Sequence, residues 1–255
     1  MTNNPAVLPE STQTTTQTTT EKVALGWTHT ARFLTTASQL VHLPATELPE
    51  IAFVGRSNAG KSTAINQLAQ QKRLAFASKT PGRTQHINLF ELGPKDAADC
   101  LFADLPGYGY AAVARSAKLR WQKVMADYLE VRRSLSGLVL MVDSRLGLTE
   151  LDKQLLEFVT DRIANGSVRL LVLLTKADKL NRKEANAVLA STQEFLGGIA
   201  TEESEIVVTL FSALKKQGVG DVALVLHGWT RRTAAEAAEA TAATAATESG
   251  EATPQ

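Results

Sequence analysis

Cysteine is almost absent from this chain: one residue, Cys100, in 255. A single thiol excludes an internal disulfide and any zinc site built from several cysteines, and the four histidines are scattered without metal-ligand spacing. No apolar run approaches the roughly 20 residues needed to cross a bilayer. The first twenty residues hold no Lys or Arg, which is the reverse of a signal or transit peptide. The expected compartment is therefore the cytoplasm. Large apolar side chains are missing from both ends, where "STQTTTQTTT" (11–20) and "TAAEAAEATAATAATESGEATPQ" (233–255) repeat Thr, Ala, Gln and Glu. Such runs cannot offset the entropy of ordering them, so residues 1–24 and 233–255 are expected to be disordered tails around a folded body at 25–232. The Ala/Glu stretch could nucleate a transient helix but offers no apolar stripe to dock.

The body itself has what the ends lack. Hydrophobic residues make up 44% of the chain, enough for a buried core. All 27 basic residues but only 20 of the 26 acids fall within 22–232, so the near-neutral total conceals a body at +7. That charge suits an anionic partner such as RNA, or simply a solvated surface. Six cations, Arg115, Lys118, Arg120, Lys123, Arg132 and Arg133, cluster along one helical stretch, although helical spacing does not place all of them on one face. No long uncovered apolar stripe is evident, and a monomer is expected.

From Ile51 onward, short apolar runs alternate with helical patterns. "IAFVG" is a strand ending in glycine, followed by a helix from Lys61 to about Gln71. "INLFEL" and "CLFADLP" flank a turn-rich segment and read as an antiparallel hairpin. "GLVLMVD", "VRLLVLLTKAD" and "EIVVTLFSA" are continuous Val/Ile/Leu runs separated by amphipathic helices. This pattern predicts a three-layer α/β fold: a mostly parallel sheet of six or seven strands, one antiparallel edge strand, and helices on both faces. Residues 22–49 stay ambiguous; "ARFLTTASQLVHL" fits either an added strand or a short helix.

Ligands of such sheets sit at the carboxyl ends of the strands, and every chemical motif of this chain falls there. "GRSNAGKS" (55–62) fits G-x-x-x-x-G-K-[ST], with a strand before it and a helix after. Gly55, Arg56, Ser57, Asn58, Ala59, Gly60, Lys61, Ser62 and Thr63 would wrap a nucleotide's phosphates in backbone N–H groups at a helix N-terminus. Lys61 would reach the β- and γ-oxygens, and the Ser62 hydroxyl would ligate Mg²⁺. Asp104, at the start of "DLPG" (Asp104, Leu105, Pro106, Gly107), would hold the same ion through a water, while Gly107 offers an N–H to a γ-phosphate. "TKAD" (Thr175, Lys176, Ala177, Asp178) ends a strand and can read the base. Asp178 can accept from N1–H and the exocyclic amine of guanine, a donor pair that adenine lacks, and the stem of Lys176 would cover the base plane. "FSA" (Phe211, Ser212, Ala213) ends the last strand and can aim a backbone N–H at guanine O6. GTP and GDP are the expected ligands, and ATP is disfavoured by Asp178.

Together, "LPEIAFVGRSNAGKST", "TPGRTQHINLFEL", "DLPGYGYA", "TKAD" and "FSALKKQG" resemble the EngB family of bacterial ribosome-assembly GTPases, in family order and over nearly the whole body. The two ends are not part of that pattern, and Ala59 and Thr63 stand where Val and Ser are more usual. The resemblance implies a first switch at Gly82, Arg83, Thr84, Gln85 and His86, with the Thr84 hydroxyl completing the Mg²⁺ shell. It also implies binding to the large ribosomal subunit or its precursor, its rRNA and proteins.

One position departs from Ras-like sequences. Tyr108 stands where they carry a water-orienting glutamine, and it cannot take that role. Tyr108 and Tyr110 are expected to pack against the helix that follows them. In related GTPases an Asn at the position of Asn58 helps bind K⁺ beside the phosphates, which would compensate; otherwise Asn58 only braces the loop. Two functions fit: a slow GTPase that assembles the large ribosomal subunit, stimulated by K⁺ and ribosomal particles, or a nucleotide-switched RNA/protein binding module whose hydrolysis is incidental.

Overall fold

In the computed structural model, the residues described are 6–7, 19–75, 86–109 and 115–233; side chains are described for all of these except 6–7 and 115–122. The elements run in chain order β1 (Ala6–Val7), α1 (Thr19–Thr28), β2 (Arg32–Ala37), β3 (Glu50–Gly55), α2 (Lys61–Leu68), β4 (Ile87–Leu92) and β5 (Cys100–Asp104). They continue with α3 (Arg115–Val131), β6 (Leu135–Asp143), α4 (Glu150–Ala164), β7 (Arg169–Thr175), α5 (Arg182–Gly197), β8 (Ile206–Leu210) and α6 (219–233). The sheet order is β1-β8-β7-β6-β3-β5-β4-β2. All pairings from β1 to β5 are parallel, and β4 runs antiparallel to both β5 and β2.

The expected mostly parallel α/β sheet with an antiparallel edge is thus present. Seven strands of five to nine residues form it, and the two-residue β1 extends it beyond β8. The ambiguous stretch resolves as strand β2 followed by a single 3₁₀ turn at Leu40–His42. Its edge position explains the weak signal: Phe33 is 57% and Leu34 40% exposed, so neither alternation nor a continuous apolar run developed. Helix α1 begins at Thr19, ahead of the body start expected at residue 25, and α2 stops at Leu68, short of Gln71.

Burial on both faces follows the period of two. Ala52 and Val54, Leu138, Leu140 and Val142, and Leu170, Val172 and Leu174 face a core shared with α3, α4 and α5. Their neighbours Ile51 and Phe53, Val139 and Met141, and Leu171 and Leu173 face the opposite core, with Ile65, Leu68, Leu226 and Trp229. Each of the fully buried Val, Leu, Ile, Phe and Met side chains among these contributes roughly 1.5–3 kcal/mol. Gly137 shows how closely the layers meet: a Cβ there would lie 2.7 Å from the Trp229 ring. At the foot of the sheet, fully buried Glu50 pairs with Arg132 at 2.9 Å and accepts from the Tyr128 hydroxyl. Thr233, at the end of α6, accepts at 2.7 Å from Arg169, the first residue of β7.

Candidate functional site

Strand β3 delivers the chain into the 55–60 turn with its backbone already bent for the task. Asn58 (φ 68°) and Gly60 (φ 98°) both lie in the left-handed region, and Gly60 is the N-cap of α2. The first-turn N–H groups of α2 have no intrahelical acceptor and point into the turn, where the helix dipole favours an anion. Lys61 is almost fully buried and ion-paired with Asp104, which is completely buried. Asp104 reaches this spot because β5 lies in parallel register with β3, Phe53 opposite Asp104. Its second oxygen, Oδ2, has no hydrogen-bond partner among the described residues. An orphaned carboxylate oxygen on the partner of Lys61, the residue before Ser62, is a hard donor of the kind Mg²⁺ takes, so the residues present fit that ion.

The segment after Asp104 lies directly on the turn. Gly107 packs so tightly that a Cβ would sit 3.1 Å from the Ser57 backbone. Tyr108 donates from its N–H to Gly55 O at 3.2 Å, and its own carbonyl accepts from Ser57 N–H at 2.8 Å. Leu105 is buried in the core, so only its backbone faces the turn. The Tyr108 ring is also buried, and its hydroxyl donates to Asp152 Oδ1 at 2.5 Å. Burial, reinforced by the Asp152 carboxylate, pushes the phenol far above its ordinary range. Asp152 Oδ2 in turn accepts from the Thr149 N–H at 2.7 Å, closing the capping box of α4. The Tyr108 hydroxyl is thus tied to α4, while Tyr110 and the side chains of the first half of the next helix, α3 (residues 115–122), lie outside those described.

On the other side of the turn, the end of β7 holds it in place. Thr175 Oγ1 lies 2.6 Å from Ala59 O and 3.0 Å from Val142 O. Lys176, at φ 59°, donates to Asn58 O and to Asp143 Oδ2, each at 2.7 Å. Arg145, and after it Lys176, holds the Asp143 carboxyl far below the usual carboxylate range. A cavity of ≈ 220 Å³ opens among the 56–59 turn, the end of β6 and residues 145–149, with Lys176 in its wall. Asp178 accepts from the Ser212 hydroxyl at 2.6 Å, which holds its carboxyl below the ordinary range; Lys179 stands 3.3 Å from its other oxygen. Ala177 donates to Phe211 O at 3.1 Å, tying the β7 and β8 ends together.

The structure thus gathers residues 55–63, 104–107, 175–178 and 211–213 along one rim of the sheet. Ala59, Ala177 and Phe211 are buried and offer that rim only their backbone. His86 is exposed just ahead of β4, while Gly82, Arg83, Thr84 and Gln85 lie outside the described residues. Asp143 and Asp152 were missed by sequence reading. The first could have been suspected as the acid ending "GLVLMVD"; nothing in the sequence links the second to Tyr108. Of the basic cluster, Arg132 is consumed by Glu50, Lys123 pairs with Asp127 and Arg133 is exposed, while the side chains of Arg115, Lys118 and Arg120 lie outside those described.

Comparison with known proteins places this rim in context. A family profile described as 50S ribosome-binding GTPase matches residues 50–176. The chain is 61% identical over 212 residues to a probable GTP-binding protein EngB of Acidovorax ebreus (strain TPSY), covering 83% of this chain and 94% of that protein. It is 49% identical over 210 residues to a protein of the same name from Burkholderia pseudomallei (strain K96243), covering 82% and 94%. Among solved structures, a probable GTP-binding protein engB superposes with a TM-score of 0.54 at 23% identity, over 72% of this chain and 99% of that one. Era, solved with MgGDPNP and nucleotides 1506–1542 of 16S ribosomal RNA, gives 0.54 at 22% identity, over 72% and 57%.

Proposed function

Because the chain belongs to the EngB family of GTP-binding proteins, we propose that it is a slow GTPase that assists assembly of the large ribosomal subunit, acting as a cytoplasmic monomer. The GTPase domain is the body at 25–232, led in by α1 from Thr19, and the rest of the low-complexity ends stands outside it. One observation supports the reading above all: the anion-binding turn with Lys61 and Asp104 shares a rim with Asp178, a carboxylate held ionised by Ser212. The first suits a phosphate chain and the second a guanine edge.

In this reading, Lys61 leaves Asp104 for the β- and γ-phosphate oxygens, and the N–H groups of the 55–63 turn surround them. Residues Ser62, Asp104 (through a water) and Thr84 would hold magnesium, which when bound neutralises charge on those phosphates. Gly107 offers its N–H to the γ-phosphate. Asp178 accepts from two guanine N–H groups, the Lys176 stem covers the ring, and the Ala213 backbone meets O6. Tyr108 is engaged with Asp152 and leaves the attacking water to another device. Asn58 would supply it as a ligand for K⁺, whose charge would offset that of the phosphates. Turnover in KCl then exceeds that in NaCl at equal ionic strength by at least ~10-fold, about 1.4 kcal/mol of barrier. Equal rates in the two salts would remove Asn58 from this role.

The decisive experiment adds purified large ribosomal subunits to the protein with GTP, GDP or no nucleotide. Nucleotide-dependent binding with accelerated GTP turnover is expected. Binding without acceleration would favour a switch module whose hydrolysis is incidental, and tighter binding of ATP than GTP would overturn the base assignment.

A further inference from the structure

Of the six cations that the sequence clusters between 115 and 133, the side chains of Arg115, Lys118 and Arg120 lie outside those described, Lys123 pairs with Asp127, and Arg133 is exposed without an ion pair among the described residues. Arg132 serves Glu50, Arg162 donates to the carbonyls of Leu129 and Leu135, Arg232 pairs with Glu205, and Arg145 and Lys176 share Asp143. A separate group of exposed cations gathers where β7 and β8, adjacent and parallel, send out their C-terminal loops. Lys179, Arg182 and Lys183 are exposed on the first loop and the start of α5; Lys215 and Lys216 are exposed on the second, beside Leu214 at 73%. Among the described residues, only Lys179 of these five has an acidic partner, Asp178. The nearby Glu184 is occupied in the α5 capping box with Asn181.

Three features of this rim cost stability. Arg182 and Lys183 occupy the first turn of a 16-residue helix, where the macrodipole favours acids. Lys216 adopts φ 55°, a left-handed conformation that is strained for a side-chain-bearing residue. Like charges are crowded on neighbouring loops. The second loop is nevertheless rigid, closed by Ser212 N–H to Gln217 O at 3.1 Å and Gln217 N–H to Ser212 O at 3.0 Å. Little backbone entropy remains to be lost when a partner docks.

We propose that the Lys179, Arg182, Lys183, Lys215 and Lys216 rim is a docking surface for the phosphate backbone of RNA, beside the base pocket. The proposal deepens the ribosomal reading above and rests on it for the source of the RNA. A polyanion with repeating phosphates is the partner that gains from every one of these point charges at once. Ser212 belongs to both places: its hydroxyl donates to Asp178 and accepts from the Lys215 N–H at 3.1 Å. RNA held on the rim and guanine held in the pocket therefore share one side chain.

Two full-length variants test this, Arg182→Glu/Lys183→Glu and Lys215→Glu/Lys216→Glu, each first checked for wild-type GDP binding as proof of folding. The probes are purified large ribosomal subunits and the protein-free RNA extracted from them. Each variant should bind both at least ~10-fold more weakly, and the slope of log K against log salt should flatten by roughly 0.7–0.9 for every phosphate that is no longer neutralised. Wild-type affinity for the free RNA in both variants would overturn the proposal. Weakening confined to intact particles would assign the rim to a ribosomal protein instead. If the wild type binds the free RNA but not the particles, the rim stands and the ribosomal reading falls; binding to neither removes both.

Discussion

In the proposed reading Asp178 has to stay ionised next to a nucleobase, and its surroundings favour the ionised carboxylate. Ser212 donates to one oxygen and Lys179 approaches the other. An ionised carboxylate presents only acceptors, which is what two guanine N–H groups require. Asp178→Asn exchanges one acceptor for a donor. GDP affinity should fall by about 3 kcal/mol, ~10²-fold, while xanthosine diphosphate affinity rises; competition binding against labelled GDP measures both. Unchanged GDP affinity would show that another residue reads the base. Lys61, Asp104 and Asp178 were legible in the sequence because each sits in a spacing that only a strand end can use. Tyr108 was legible only as an absence of glutamine. Its partner Asp152 is 44 residues away on a different helix, a relation that no local pattern encodes.

Elements were readable where burial is complete and blurred where it is partial. Strands β6, β7 and β8 lie inside the sheet, so their Val/Ile/Leu runs announced themselves. Strand β2 is half-exposed at the edge and did not. Helix α4 shows what an element can carry beyond packing. Its N-terminal cap is completed by Asp152, which also receives the Tyr108 hydroxyl, so the helix start and the segment after Asp104 are joined through one carboxylate. Tyr108→Phe should lower stability by about 1.5–3 kcal/mol, the range for a hydrogen bond to a charged group, seen as a lower urea midpoint with an unchanged slope. In an Asp152→Ala background the same change should cost much less, because the partner is already gone. Additive effects would separate the two residues.

Across the whole molecule the two ends of the sheet have different duties. The carboxyl ends of the strands carry the candidate site and its loops. The opposite end is closed by Glu50, with Arg132 at 2.9 Å and the Tyr128 hydroxyl on the same carboxylate. Glu50→Ala would leave Arg132 without its partner in a largely dry setting and should cost about 3–5 kcal/mol of unfolding free energy. GDP affinity, measured well below the melting temperature, should be unchanged, because no site residue touches this clasp. A parallel fall in GDP binding by folded protein would show that the two ends communicate. Nothing local in the sequence hints at the clasp: Glu50 reads as an ordinary polar residue before an apolar strand, and its significance comes from helix α3 crossing beneath it.

The hydrogen bond between Thr233 and Arg169 has a practical corollary. It fixes where the backbone leaves α6, at the amino-terminal edge of β7, on the side of the protein that faces away from the crevice. A fluorophore or surface-immobilisation handle attached behind that point would leave nucleotide entry and the lysine-bearing loops unobstructed, so tethered molecules should report the same association kinetics as untethered ones.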